Sequence, residues 1–366
     1  MLSVDDYRQA ARERLTAQAW DYFDGGSGTE RTLDANCRAF DEVVLRPRVL
    51  VDVSDCPTRT TVLSCEVALP VAVAPTAYHR MAHPDGEVAT ARGAGAAGAL
   101  YVVSMLASRT LEEIAQAATG PLWLQLYWLR RREVLAGLAE RAAAAGFRAL
   151  VLTVDTPRIG LRLRDLRNNF VLDPAISAAN LPPEIMATMH QRRTGSSALA
   201  RHADEAFDPS VTWSDLAWLR EVSPLPLLLK GIVTAEDASR AVEHGVAGVI
   251  VSNHGGRQLD GVAAALHALP EVADAVGGAC PVLFDGGVRR GTDVFAALAL
   301  GAQAVLVGRP VLWALAAAGG DGVADLLGLL RDELAHTMAL AGRPTLSGID
   351  RSAVAGRAGQ VLKVPA

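Results

Sequence analysis

Eight short apolar segments, each followed by a longer amphipathic stretch, recur between residues 69 and 307 of this 366-residue chain. They run from Leu69 to Ala74, Ala99 to Val103, Leu122 to Leu126, Ala149 to Val154, Leu225 to Leu229, Val246 to Val251, Val282 to Phe284 and Ala304 to Val307. Unbroken runs of Val, Leu and Ala suit strands covered on both faces, not strands with one wet face. Strands that alternate with helical patterns build a parallel sheet. The repeat therefore predicts an α/β fold, a (β/α)8 TIM barrel over about residues 69–320 within a single domain of residues 1–366. Helix starts are marked by Thr110-Leu-Glu-Glu113, a capping-box layout, and by Thr234 and Ser214-Asp215. Residues 3–23 read as one additional amphipathic helix ahead of the barrel, followed by Asp24-Gly25-Gly26. Between the fourth and fifth strands, residues 171–210 read as a long loop carrying Pro182-Pro183, Met186, Met189 and His190, and a loop of that length predicts a lid.

Composition removes several classes of function. A net charge of −5 and a pI near 5.9 offer no broad attraction for nucleic acid or anionic lipid. Met1-Leu-Ser-Val-Asp-Asp6 lacks the basic then apolar layout of a secretory signal, and no apolar run approaches membrane-spanning length. The expectation is a cytoplasmic protein that binds neither membrane nor nucleic acid. Cys37, Cys56, Cys65 and Cys280 form no Cys-x-x-Cys pair and have no histidine at metal-ligand spacing, so isolated thiols and no metal are expected.

In such barrels the functional groups stand at the C-terminal ends of strands. There the chain offers Ala74-Pro-Thr76-Ala77, Ser104, Gln125, Tyr127, Thr153, Asp155 and Lys230. Hydroxyls, an amide and an ammonium on neighbouring strands suit the edge of a flat heterocycle with both donors and acceptors. Lys230 stands out because only it and Lys363 are lysine among 35 cationic side chains. A compact ammonium was kept where a guanidinium would differ in shape and bonding. The sixth strand runs into Ser252-Asn-His254-Gly-Gly-Arg257-Gln-Leu-Asp260. His254 titrates near neutrality, Gly255 and Gly256 let the chain turn closely around a ligand, and Arg257 presents a fork to a carboxylate. A bare His-Gly-Gly could be no more than a surface turn; the nine-residue string argues for a base beside an anion clamp. Asp285-Gly-Gly287-Val-Arg289-Arg-Gly291 and Gly308-Arg309-Pro310, after the last two strands, predict a phosphate site.

These residues resemble the FMN-dependent α-hydroxy acid oxidase and dehydrogenase family, which includes glycolate oxidase, lactate oxidase and mandelate dehydrogenase. The resemblance runs from Tyr22 to Pro310 and includes Ser252-Asn-His-Gly-Gly-Arg-Gln258, Asp155-Thr-Pro-Arg158 and Ala82-His-Pro-Asp-Gly-Glu87. It suggests kinship to bacterial mandelate and 4-hydroxymandelate oxidases. It implies FMN as cofactor, with Ala74, Thr76, Ala77, Ser104, Gln125, Thr153, Lys230 and Ser252 around the isoalloxazine and Asp285, Gly287, Arg289, Gly308 and Arg309 at the phosphate. It also implies that Arg257, Arg162 and Tyr22 hold a substrate carboxylate, that His254 removes a proton, that Asp155 stabilises the imidazolium, and that Tyr127 bonds the substrate oxygen.

The implied reaction is oxidation of an (S)-2-hydroxy acid to the 2-oxo acid, with oxygen as acceptor giving hydrogen peroxide, in a homotetramer. Family members acting on small hydroxy acids often carry Trp where this chain has Leu106, which predicts room for an aryl group beside the flavin. A neutral packing change would leave the same trace. Tyr78 stands where many relatives are apolar, and the sequence gives no account of it. A quinone-linked dehydrogenase, a lactate or glycolate oxidase, another phosphate-binding barrel enzyme and a flavin-binding barrel without turnover remain as alternatives.

Overall fold

Every predicted apolar segment becomes a strand in the computed structural model, which describes residues 1–186 and 203–356. The barrel strands are Val71–Val73, Tyr101–Ser104, Leu122–Leu126, Leu150–Thr153, Leu227–Ile232, Gly248–Val251, Val282–Asp285 and Ala304–Val307. They pair in chain order, each ladder parallel, and the last returns to the first to close the barrel. Continuous apolar runs are explained by burial on both sides. Leu100, Trp123, Val151, Leu228, Ile250, Leu283 and Leu306 fill the interior, while residues between them pack outward on the helices. The bottom is stopped by an antiparallel hairpin, Thr60–Val62 with Cys65–Val67, whose Val62, Cys65 and Val67 join the interior cluster.

Several local expectations change. The stretch at residues 3–23 is two helices, Val4–Arg14 and Ala17–Asp24. Leu15 is extended and the Thr16 hydroxyl accepts from the Ala19 N–H, so a cap-forming threonine restarts the helix. Thr110 and Thr234 cap as predicted, but the helix Leu216–Val222 is entered through a capping box of Thr212 and Asp215, not through Ser214. The predicted lid is no open loop where it is described. It contains the helix Pro183–Met186, and Asn180 takes the Leu111 N–H and donates to the Arg109 carbonyl. Met189 and His190 lie outside the described residues.

Against the sequence expectation, the helix Arg309–Leu340 is long and apolar enough to cross a membrane by length and composition. Its path breaks at Ala318 and Gly319, and Leu315, Val323, Leu327, Leu330 and Leu334 are buried, the pattern of a core helix.

The helix Arg31–Arg38 docks on the mouth of the barrel through a reciprocal amide pair. Asn36 Nδ2 donates to Asn253 Oδ1 at 2.8 Å, and Asn253 Nδ2 donates back to Asn36 Oδ1 at 2.9 Å. Glycines make the approach possible: a Cβ on Gly256 would lie 2.5 Å from the Leu33 nitrogen, and one on Gly287 would lie 2.0 Å from the Asn36 carbonyl oxygen. Both were read from sequence as ligand-facing. Gly287 does line the cavity described below, but what excludes a side chain at either position is this helix.

Truncating Asn253 to Ala strands the buried Asn36 Nδ2 donor and takes the Asn253 donor from the Ala263 carbonyl, each costing about 1–3 kcal/mol, while Asn36 Oδ1 keeps the Ala265 N–H. Urea unfolding of Asn253→Ala should show a loss of about 3 kcal/mol; a loss under about 0.5 kcal/mol would mean the pair does not hold the segment.

Candidate active site

A cavity of about 1150 Å³, part of it open to solvent, occupies the C-terminal mouth of the barrel. Of the predicted site residues, Tyr22, Ala74, Thr76, Ala77, Ser104, Leu106, Gln125, Tyr127, Thr153 and Arg162 line it, as do Lys230, His254, Arg257, Asp285, Gly287, Arg289, Gly308 and Arg309. Asp155 and Ser252 stand behind this wall and act through neighbours.

Strand register produces the polar edge. Ser104 pairs with Gln125, and Thr153 with Lys230, so four polar side chains emerge at one level. Ser104 Oγ donates to Gln125 Oε1 at 3.1 Å, and Gln125 Nε2 donates to Thr153 Oγ1 at 3.1 Å. Each of the three keeps further hydrogen-bonding capacity, the donor and acceptor mixture a flat heterocycle requires.

Lys230, 4% exposed, donates to Ser252 Oγ at 2.7 Å and pairs with Asp285 Oδ2 at 2.8 Å. This corrects the assignment of Asp285 to the phosphate: a carboxylate neutralising a buried ammonium would repel a phosphate. Its Oδ1 is buried without a hydrogen-bond partner, an acceptor suited to a hydroxyl such as those of a ribityl chain. Ser252 also accepts the His254 N–H at 3.0 Å, so one hydroxyl fixes both the ammonium and the histidine loop.

His254 adopts a left-handed backbone, φ 59°, that turns its ring into the cavity. Nδ1 lies 2.9 Å from Asp155 Oδ1, and Nε2 lies 3.4 Å from the Tyr127 hydroxyl. Burial pulls the imidazole below its ordinary pKa of 6.5, Asp155 opposes that shift, and Lys230 and Arg162 reinforce it. Burial alone would raise Asp155, but His254, Lys230 and Thr156 outweigh it and hold the carboxylate ionised. The result is a neutral base whose conjugate acid has a counter-charge in place.

Two guanidiniums face the Tyr22 ring: Arg162 at 5.8 Å and Arg257 at 5.3 Å from its centroid. Arg257 donates to the Gly25 carbonyl at 2.7 Å, a neutral partner. Burial, then Arg162, pulls it down to about 10. At the other end Arg309 donates to the carbonyls of Asp24, Gly25 and Gly255. Burial, then Arg257 and Arg289, pulls Arg309 down to about 9. Both are half-buried cations that donate to backbone carbonyls and pair with no carboxylate among the described residues, and the buried Arg162 has an Nε without a partner. The site therefore fits two anions, a substrate carboxylate at Arg162 and Arg257 and a phosphate at Arg309, Arg289 and the glycine loops.

Sequence reasoning missed Ile159, Ala203 and Phe207, which line the cavity on the side of Leu106 and Tyr127. Phe207 stacks on Tyr127 with centroids 4.7 Å apart, and pairs with Leu129 in an isolated antiparallel bridge. Ile159 lies in the loop after the strand Leu150–Thr153, as Arg162 does, but its apolar side chain gave no chemical signal, and Ala203 and Phe207 lie far along the same connection. Asp165, 1% exposed and raised in pKa by burial against the pull of Arg162 and Arg257, was also missed.

Comparison with known proteins agrees with this geometry. A family model described as FMN-dependent dehydrogenase matches residues 11–356. Glycolate oxidase of Spinacia oleracea is 46% identical over 353 residues, 96% of this chain and 95% of that protein. L-lactate oxidase of a Nostoc species is 48% identical over 355 residues, 96% of this chain and 97% of that protein. The crystal structure of mandelate oxidase with (S)-4-hydroxymandelic acid superposes with a TM-score of 0.92 at 48% identity, covering 95% of this chain and 97% of that one.

NMR titration of the His254 ring should give a midpoint below 6.5. Asp155→Asn removes the group that raises it, so the midpoint should move lower still. A midpoint that rises or stays in place would break the assigned coupling.

Proposed function

The chain belongs to the FMN-dependent dehydrogenase family, and we propose that it is an (S)-2-hydroxy acid oxidase whose preferred substrates carry an aryl group, as in mandelate or 4-hydroxymandelate. One observation carries the reading. An Asp155-backed neutral histidine and a pair of uncompensated arginines face one cavity with the residues suited to a flavin.

Arg162 and Arg257 bind the substrate carboxylate and fix the acid in one orientation. Tyr127 and His254 Nε2, 3.4 Å apart, converge on the substrate hydroxyl. His254 removes a proton from the substrate, and Asp155 stabilises the imidazolium that forms. FMN supplies the two-electron sink of the oxidation. Lys230, held by Ser252 and Asp285, would offer its ammonium to the bound heterocycle and stabilise negative charge there. Ala74, Thr76 and Ala77 line the cavity from the first strand end.

Leu106, Ile159, Ala203 and Phe207 supply the aryl side, an apolar wall carrying one stacked aromatic ring. Oxygen is the acceptor this reading assigns, supported by the oxidases of hydroxy acids among the relatives. A homotetramer is the assembly it assigns, supported by the exposed apolar run of Val49 and Leu50. Light scattering should give four times the 38.5 kDa chain mass, and a monomer would remove that part of the reading.

Anaerobic (S)-mandelate should bleach the flavin band, and air should restore it within the mixing time. His254→Ala should keep its yellow colour and reduce about 10²–10⁴-fold more slowly. Leu106→Trp should shift the preference from mandelate toward glycolate. Bleaching that air barely reverses would assign another acceptor, and an unchanged preference in Leu106→Trp would remove the aryl argument.

A further inference from the structure

The Ala82-His-Pro-Asp-Gly-Glu87 motif has no part in the reaction above, yet it ends in a carboxylate that is wholly buried. Glu87 Oε1 accepts the N–H groups of His79 at 3.0 Å and Ser108 at 2.8 Å, and Oε2 accepts the Ser108 hydroxyl at 2.7 Å. Ser108 Oγ accepts in turn from the Arg80 N–H at 3.1 Å. Glu87 thereby ties the turn after the first strand to the loop after the second, the two segments that bring Thr76, Ala77, Ser104 and Leu106 to the cavity.

Upon this anchor stands a second histidine. His79 is fully buried, with Nδ1 2.8 Å from Thr90 Oγ1 and Nε2 2.5 Å from Thr76 Oγ1. Thr90 directs its own proton to the Gly86 carbonyl at 3.4 Å, which leaves its oxygen to accept from Nδ1–H. Nε2 is then the acceptor, and the Thr76 hydroxyl spends its proton on it. Burial lowers the pKa of the ring against the pull of Glu87 and the Thr76 backbone, which favours the neutral form this arrangement requires. Thr76 is thus left as a fixed acceptor facing the cavity, unable to rotate and offer its proton to the cofactor.

We propose that His79 is a positioning residue for the cofactor, orienting the Thr76 hydroxyl so that it accepts from an N–H or O–H of the bound FMN. The inference rests on FMN as cofactor and assigns a role to a side chain that does not reach the cavity. His79 acts only through Thr76, so its removal should have no added effect once Thr76 has lost its hydroxyl. Glutamine can reproduce the bridge, its carbonyl accepting from Thr76 and its amide donating to Thr90, whereas leucine fills the space without bonding.

The test is FMN release on dilution of the holoenzyme, read by flavin fluorescence, with thermal unfolding alongside. His79→Leu should bind FMN about tenfold more weakly and His79→Gln within about twofold of wild type. Thr76→Val with His79→Leu should be no weaker than Thr76→Val alone. An unchanged affinity in His79→Leu, or an equal loss in His79→Gln, would overturn the proposal. If His79→Leu does not fold, Thr76→Val must itself show the tenfold loss, and wild-type affinity there would be equally fatal. A wild-type protein that binds no FMN would instead defeat the cofactor reading itself.

Discussion

The reciprocal amide bonds between Asn36 and Asn253 join two parts of the chain 217 residues apart, and one wall of the cavity is set in place through them. Asn253 immediately precedes His254, so the residue that docks the N-terminal segment also fixes the start of the catalytic loop. Asn253 Oδ1 takes the Gly256 N–H as well, at 3.2 Å, which closes that loop on itself. The docked segment then supplies the Tyr22 ring beneath both substrate arginines and the Gly25 carbonyl that receives Arg257 and Arg309. A barrel without this segment would keep its strand ends and lose one wall of its site. The Asn and the second Gly of the Ser252-Asn-His-Gly-Gly-Arg string therefore serve architecture, and the His and Arg serve chemistry.

Charge is distributed to leave the site short of anions. Lys230 is matched by Asp285, and His254 by Asp155, each within 2.9 Å. Arg162, Arg257 and Arg309 have no carboxylate within ion-pair distance among the described residues; Arg257 and Arg309 donate to backbone carbonyls and Arg162 bonds the Tyr22 hydroxyl. An unpaired buried cation costs several kcal/mol, a cost that a phosphate or carboxylate ligand removes on binding. Burial is what chiefly lowers the His254 pKa, and Lys230 and Arg162 add to it, so the positive field that attracts an acidic substrate also favours an unprotonated base.

Much of this was legible because it depends on position along a strand. Eight apolar runs gave eight strands, and the rule that function gathers at their C-terminal ends located Ser104, Gln125, Thr153 and Lys230 before any coordinate did. What stayed hidden depends on contacts between distant segments. Gly256 and Gly287 looked like ligand-facing glycines, but the helix that requires them lies more than 200 residues earlier. Ile159 stands in a strand-end loop but is apolar and looked like packing, while Ala203 and Phe207 lie far along a long connection that carries no period to read. The break at Leu15 and Thr16 was missed for a different reason, since an amphipathic face continues across it and only the cap reveals the restart. Tyr78, puzzling in sequence, proves to be fully buried with a left-handed backbone, φ 59°, and a ring 6.4 Å from that of Tyr22. Nothing in the structure explains its hydroxyl, which has no partner.

Two histidines flank the cofactor region under opposite rules, and the difference lies in what surrounds their nitrogens. His254 meets a carboxylate on one side and the cavity on the other, so it can gain a proton and keep it near a counter-charge. His79 meets a hydroxyl on each side and is fully buried, so protonation would cost it the acceptor that Thr76 needs and gain no solvent in return. The Glu87 charge favours protonation but burial outweighs it, and that carboxylate's oxygens bond backbone N–H groups and Ser108, not the ring. Burial lowers the pKa of both rings, yet only His254 has a carboxylate on one nitrogen and the cavity on the other. A shifted pKa therefore marks an acid-base residue here only when a route to substrate and a waiting anion accompany it.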